Sequence, residues 1–507
     1  MKSFLIKYYG LLPLFFLCVL YACRAAHFPV HDFANYYFGG HFLTQGKFSE
    51  WIYFPYEFNK AITTLGYQHI FTSYAPNTPF LALAFSPLSF LPIDVAKILF
   101  NVISILLFIL SLKRLGNFYN INQKWFLLLP VLFFVPIKNE LLFGQVYFLL
   151  FSLIAESWLA YEKGKSVRTG IFLALAIMLK IFPALLLLVF VFKKQFRALA
   201  ATIISCLVLL LISVLFCGTS IWIFFIETIL TKASNGEIAE AFVPNYQSVF
   251  MFLKHLLIFD RMQNFDSPFN APVLFSALVL AFKIMLVVIG FYVTHKAIHS
   301  LYVVSYWLFA MVLISPYGST YTYLLLIFPI FALVKSPFPD MIKVISLILI
   351  GIVCNLPSEI FINTTFSFTR LFALLLFLGL FLYPVYAFVD KKIVTFFIMI
   401  PLLLVMIFKK NEPVKSHYLL EKGSPTMIYD YEISNNMLTY FYWNANGKNS
   451  ISIIENSHDI VRKINKKQMP FEKGHIIKPM IVGKAIIYLS DFDRGNGFYT
   501  LRKMKLP

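Results

Sequence analysis

GIFLALAIMLKIFPALLLLVFVFKKQFR, residues 170–197, is apolar enough to enter a membrane, yet it carries Lys180 and Pro183 near its middle. Basic residues bracket it, with Lys163, Lys165 and Arg168 before and Lys193, Lys194 and Arg197 after or at its end. Cytoplasmic loops collect Lys and Arg, so one crossing with cations at both ends runs against that bias. The consistent reading is a broken pair that dips into the membrane and returns, interrupted at Lys180-Ile181-Phe182-Pro183. A lysine and a proline at that depth are tolerated where they line a protein cavity instead of facing lipid. The stretch therefore predicts a polytopic α-helical membrane protein with irregular backbone buried inside it.

Composition agrees along the chain. Its 507 residues are 59% hydrophobic and 13% charged, with mean hydropathy +0.76, whereas soluble domains are about 45–50% apolar and about 25% charged. A cytosolic enzyme and a nucleic-acid partner are excluded. The formal charge of +19 falls mostly in short loops between spans, where orientation and contact with anionic membrane lipids account for it. Cys18, Cys23, Cys206, Cys217 and Cys354 lie in or beside apolar runs without metal-ligand spacing, so neither disulfide nor zinc is expected. The outer loops show no paired acids, and no metal or other cofactor is expected.

Placing the N-terminus in the cytoplasm gives one consistent topology. An uncleaved first span at about 8–24 leads to an outer loop, 25–78, rich in Tyr, Phe, Gly and Asn. Residues 79–90 read as an interfacial helix before a span at 93–112. Spans at 124–137 and 144–161 form a hairpin whose outer turn is Lys138-Asn139-Glu140. Beyond the broken pair, 198–217 crosses to a second outer loop, 218–270. Spans at 271–293, 300–315, 320–335, 341–357, 370–388 and 393–408 follow. That makes eleven crossings plus the broken pair, and puts the tail outside an inner or plasma membrane. The chain thus divides into a membrane domain, 1–410, and a β-rich extracytoplasmic domain, 411–507. Short alternating runs at 427–433, 437–443, 450–454, 485–490 and 498–504 carry the second assignment, with turn signals Asn446-Gly447 and Asp493-Arg494-Gly495-Asn496-Gly497 between some of them.

Polar groups beside the spans are the informative ones. Asp32, a few residues past the first span, is placed to take a proton from a hydroxyl arriving from outside while a lipid-borne donor arrives from the bilayer. The ordinary meaning of such an acid is a solvated loop residue, and Glu50 and Glu57 in the same loop have no stronger claim. Lys180 suits a phosphate; its bland alternative is snorkelling to headgroups. Gln145 and Asn245 suit sugar hydroxyls, although isolated amides more often pack helices or make turns. His31 and His41 flank Asp32 in the loop as lone histidines.

These residues occur in a recognisable order: Asp32 with Tyr36-Tyr37 and Gly46, Tyr74-Ala75-Pro76-Asn77-Thr78-Pro79, Phe143-Gly144-Gln145-Val146, the break at 180–183, and Asn245-Tyr246-Gln247-Ser248. In that order, over about residues 28–330, the chain resembles bacterial GT-C glycosyltransferases that use polyprenyl-phosphate sugars. It is most similar to the mannosyltransferases that include mycobacterial phosphatidylinositol-mannoside and arabinofuranosyl transferases. The resemblance implies a GT-C-like fold and Asp32 as the base. It further implies a donor site drawn from Lys180, Gln145, Asn245, Gln247 and Asn77. The implied activity is inverting transfer of mannose, or another hexose or pentose, from a polyprenyl-phosphate carrier to a lipid or glycan acceptor. Two departures stand out. Tyr147 follows Val146 where the family often has Asn. Tyr317-Gly318-Ser319-Thr320-Tyr321 follows Ser315-Pro316 where relatives often carry His. Tyr321 or Tyr323 is the candidate replacement donor there, with an interfacial aromatic as the ordinary reading of both.

Two other classes fit less well. A transporter or lipid flippase calls for matching broken helices in two halves, and the chain has one broken pair and no internal repeat. An O-antigen-ligase-type enzyme calls for an Arg-rich outer loop, and 218–270 holds just Arg261.

Overall fold

The computed structural model describes residues 9–67, 70, 72–236, 238, 242, 246–259, 264, 267–296, 299–357 and 367–383, and in the tail 427–434, 437–443, 449–455, 461–463, 476–482, 485–490 and 499–505. Helices α1 (Leu12–Ala25), α2 (Phe33–Thr44), α3 (Ile93–Phe118), α4 (Phe134–Phe143), α5 (Tyr147–Glu162), α6 (Ser166–Leu179) and α7 (Phe196–Cys217) build the first part. Helices α8 (Pro272–Lys296), α9 (Ser300–Ile314), α10 (Asp340–Asn355) and α11 (Thr369–Phe381) build the second. Among the described residues, α3, α7 and α8 are long and apolar enough to cross a membrane. The 22 residues of α7 span about 33 Å, enough for a hydrocarbon core of about 30 Å. In α7 only 11% of the apolar window is buried, against 50% in α3. The first is a peripheral helix and the second a central one.

A fourth candidate crossing is bent. Gln123–Leu132 and Phe134–Phe143 meet at 66°, around a segment holding Pro130 and Pro136. Such a bend frees backbone groups that hydrocarbon cannot satisfy. Asn355, at the end of α10, satisfies them. Its Nδ2 donates to the carbonyls of Val131 and Leu132, each at 3.0 Å, and its Oδ1 accepts from the Val135 N–H at 3.1 Å.

Lys138-Asn139-Glu140 is not the outer turn of this hairpin. All three lie within α4, and the chain reverses at Gly144, whose backbone is left-handed (φ 69°). The apolar context of Ile137 and Leu141 carries the helix through the charged residues, and glycine ends it, as at many helix C-termini. A side chain at Gly144 would also strike Phe33, since a Cβ there would lie 2.7 Å from the Phe33 Cβ.

The segment expected to be the first outer loop, 25–78, is helical over Phe33–Thr44, Glu50–Tyr53 and Pro55–Thr64 and has its own core. Phe33, Phe38, Phe42, Tyr53, Phe58 and Tyr74 pack together, joined by Phe80, Leu81 and Phe85. Pro79–Phe85 therefore packs into this cluster, and only its 3-10 extension Ser86–Phe90 brings an apolar side chain, Phe90, into full exposure. A second cluster gathers α1, α3, α5, α9 and α11. Asp32 stands at the seam between the two.

In the tail, strands β1 (Met427–Ser434), β2 (Met437–Trp443) and β3 (Asn449–Glu455) form an antiparallel sheet in chain order. Strands β4 (Val461–Lys463), β5 (Ile476–Val482), β6 (Ala485–Ser490) and β7 (Thr500–Lys505) form another. Register Ala485↔Lys505 and Ser490↔Thr500 joins the last pair. The span expected at 393–408 and the turns at 446–447 and 493–497 lie outside the described residues.

Candidate active site

The backbone emerges from α1 and turns at His31, which is left-handed (φ 52°), a conformation uncommon for a residue with a Cβ. The His31 ring is held there by stacking on Phe143, centroids 4.1 Å apart at 12°. Asp32 follows at the N-cap of α2, but its side chain makes no cap hydrogen bond. An aspartate at that position ordinarily satisfies helix N–H groups; here its carboxylate is engaged elsewhere. His31 Nδ1 donates to Oδ1 at 3.1 Å, and Gln145 Nε2 donates to Oδ2 at 2.6 Å. Tyr36, one helical turn after Asp32, donates its hydroxyl to Gln145 Oε1 at 2.6 Å. A carboxylate only accepts, so the Gln145 amide has one orientation, nitrogen toward Asp32 and oxygen toward Tyr36.

The Asp32 side chain is 27% exposed. Burial works to raise its pKa, but the hydrogen bond and charge of His31, the Gln145 amide and the Lys180 charge outweigh it, holding the carboxyl below its ordinary value. It is ionised at neutral pH.

Lys180 follows the end of α6 in extended backbone (φ −145°, ψ 124°), and Phe182–Leu186 resumes as a 3-10 turn. The expected break is there. Its ammonium donates to Asn77 Oδ1 at 2.8 Å and lies 6.0 Å from the centre of the Tyr36 ring. Asn77 is buried, its N–H on the Tyr74 carbonyl at 2.9 Å and its own carbonyl accepting from Tyr53 OH at 3.0 Å. The neighbouring Thr78 hydroxyl donates to the Met178 carbonyl, tying this loop to the end of α6. Asp32, Gln145, Asn77 and Lys180 thus converge from four separate segments. Tyr321 joins their edge: its ring lies 5.1 Å from that of Tyr147, and both phenols are within electrostatic reach of Asp32.

Gln247 has a different environment. It is buried, its amide donating to the Ser367 carbonyl at 2.7 Å, and its backbone is so close to Gly318 that a Cβ there would lie 2.6 Å away. Ser248 beside it caps the Val249–Leu257 helix. Asn245 lies outside the described residues. Among the described residues, no group of three His, Cys, Asp or Glu side chains is placed to hold a metal.

Two members of the cluster escaped the sequence reading as functional groups. Tyr36 carried a signal, since position i+4 from Asp32 on a helix puts both on one face. Glu140 reads in sequence as a turn residue; in the structure it is 1% exposed and within electrostatic reach of Asp32 and Lys180. Recognising Gly144 as the helix terminator would have moved Glu140 inside.

The arrangement separates two charges. An oriented carboxylate is held by an imidazole and an amide, and a lysine stands at the break between two apolar helices, bound to a neutral amide. Residues 75–316 match the model of Glycosyltransferase family 87, and together with the apolar helices this similarity supports a membrane glycosyltransferase. The match takes in Asn77, Glu140, Gln145 and Lys180, while Asp32 lies well before its start at residue 75 and Tyr321 shortly after its end at residue 316. No curated protein and no solved structure matches the chain.

Proposed function

We propose that the protein transfers one sugar, with inversion, from a polyprenyl monophosphate carrier to a hydroxyl of a lipid or glycan acceptor on the extracytoplasmic face. Asp32 takes the proton of the acceptor hydroxyl as its oxygen attacks the anomeric carbon. The bond from that carbon to the carrier phosphate breaks, and the electron pair leaves with the phosphate. That leaving group is already anionic, so it needs a cation and N–H donors more than a proton. Lys180 fills this role by exchanging its Asn77 contact for the phosphate, with Tyr321 as a neutral donor beside it. The observation that carries the reading is the pairing of an ionised Asp32, oriented by Gln145, with Lys180 at the break of an apolar pair.

The membrane arrangement belongs to the same proposal: eleven crossings plus the broken pair at 170–192, N-terminus in the cytoplasm, and residues 411–507 as a β-rich extracytoplasmic domain that docks acceptor or partner. Membranes containing the protein, incubated with a panel of labelled polyprenyl-phosphate sugars, are expected to yield one glycosylated product by mass spectrometry. Transfer only from nucleotide sugars, or only from pyrophosphate-linked carriers, would overturn the donor assignment.

A further inference from the structure

Glu140 has no part in the transfer just described, yet its contacts surround the turn that carries Gln145. Its main-chain carbonyl accepts from the N–H groups of Gly144 and of Gln145, the latter at 2.9 Å. Its carboxyl Oε1 accepts from the Phe148 N–H at 2.8 Å, in the first turn of α5, and the Tyr147 N–H also donates to the carboxyl group. The other oxygen, Oε2, is buried without a hydrogen-bond partner. One residue therefore holds both sides of the 144–146 turn, from α4 by its backbone and from α5 by its side chain. A buried carboxyl group with one unpartnered oxygen is a costlier cap than a Ser, Thr or Asn at the helix start. What it adds is reach: the cap comes from a different helix and locks the turn between them.

We propose that Glu140 is a positioning residue: by clamping the 144–146 turn from both sides it fixes the Gln145 amide between Tyr36 and Asp32, and thereby holds the Asp32 carboxylate in one orientation. The inference rests on Asp32 being the base. Gln145 is one of the donors that hold the Asp32 carboxyl down, so losing the clamp raises its titration point.

The test uses the full-length protein in two assays. Infrared titration follows the Asp32 carboxyl as the band absent from Asp32→Asn, and needs no substrate. The expected result is that Glu140→Ala moves this band to higher pH, as Gln145→Ala does, and that the double variant moves it no further than Gln145→Ala alone. In the transfer assay Glu140→Ala is expected to lower turnover by about 10- to 100-fold with donor KM within about threefold. Glu140→Gln, whose amide oxygen can still accept from Phe148, recovers most of it. Additive shifts, or a lost turnover with an unmoved Asp32 band, would overturn the clamp. Should Glu140→Ala fail to fold, Glu140→Asp takes its place. One methylene shorter, it is expected to behave worse than Glu140→Gln, and the reverse order sinks the proposal. An Asp32→Asn enzyme with near-normal turnover removes the base instead, while the infrared result still decides the clamp.

Discussion

Helix α5 links two carboxylates with opposite surroundings. Near one end, Asp32 is held by His31 and by the neutral amide of Gln145, two residues before the helix begins. Toward the other end, Glu156 on the helix itself lies 2.9 Å from Arg114 Nη2, with Ser111 Oγ donating at 3.4 Å. A guanidinium never gives up its charge and takes a carboxylate's lone pairs in fixed geometry, so Glu156 is a tie between α3 and α5. Asp32 keeps its negative charge without a committed ion pair to a guanidinium, in contact with the outer loop.

The comparison breaks most visibly at Asp32. Asp32→Asn keeps the shape and removes the proton acceptor, so turnover at saturating donor and acceptor is expected to fall by about 10² to 10⁴. Equal turnover in Asp32→Asn and wild type would make Asp32 no different from Glu156. Next is the cation. Lys180→Met removes a charge-assisted contact present before and during chemistry, a class worth about 1.5–3 kcal/mol. Donor KM is expected to rise by at least about tenfold, with turnover at saturating donor within a few-fold; an unchanged KM assigns Lys180 to snorkelling.

The pH profile sharpens the contrast further. A carboxyl with a lowered folded pKa stays ionised above that value, and the base is lost only as pH falls through it. The acid limb of kcat is therefore expected below the ordinary aspartate value of about 3.9, and Gln145→Leu should move it upward. A wild-type limb near neutrality would contradict the hydrogen bonding around Asp32. Glu156→Gln should act on stability alone. Arg114 is 46% exposed, so the pair is screened and its loss should cost about 1 kcal/mol or less, seen as faster thermal inactivation at unchanged turnover per folded molecule. The smallest effects belong to Glu50→Gln and Glu57→Gln, outer-loop acids expected to stay within a few-fold of wild type in the same transfer assay.

Much of this was legible in residue order because it rests on local chemistry. Twenty-odd apolar residues make a membrane helix wherever they occur, as in α3, α7 and α8. Lys180 with Pro183 breaks a helix whatever surrounds it, since proline removes a donor and clashes with the preceding turn. Asp32 and Lys180 stood out because polar groups beside hydrocarbon are costly and seldom idle. Other features depended on contacts between distant segments. Whether Asp32 capped its own helix or faced Gln145, 113 residues away, was decided by the Phe143 stack on His31 and the close approach of Gly144 to Phe33. Residues 25–78 read as a loop rich in Tyr, Phe, Gly and Asn, and only burial of Phe33, Tyr53 and Tyr74 against one another makes them a folded core. Glu140 and Asn355 show the same division. Sequence alone puts Glu140 in a turn and gives Asn355 no role, while the tertiary structure makes them partners of backbone groups on other helices. Hydrogen bonds to main chain leave no periodic mark, so nothing in the spacing of residues announces them.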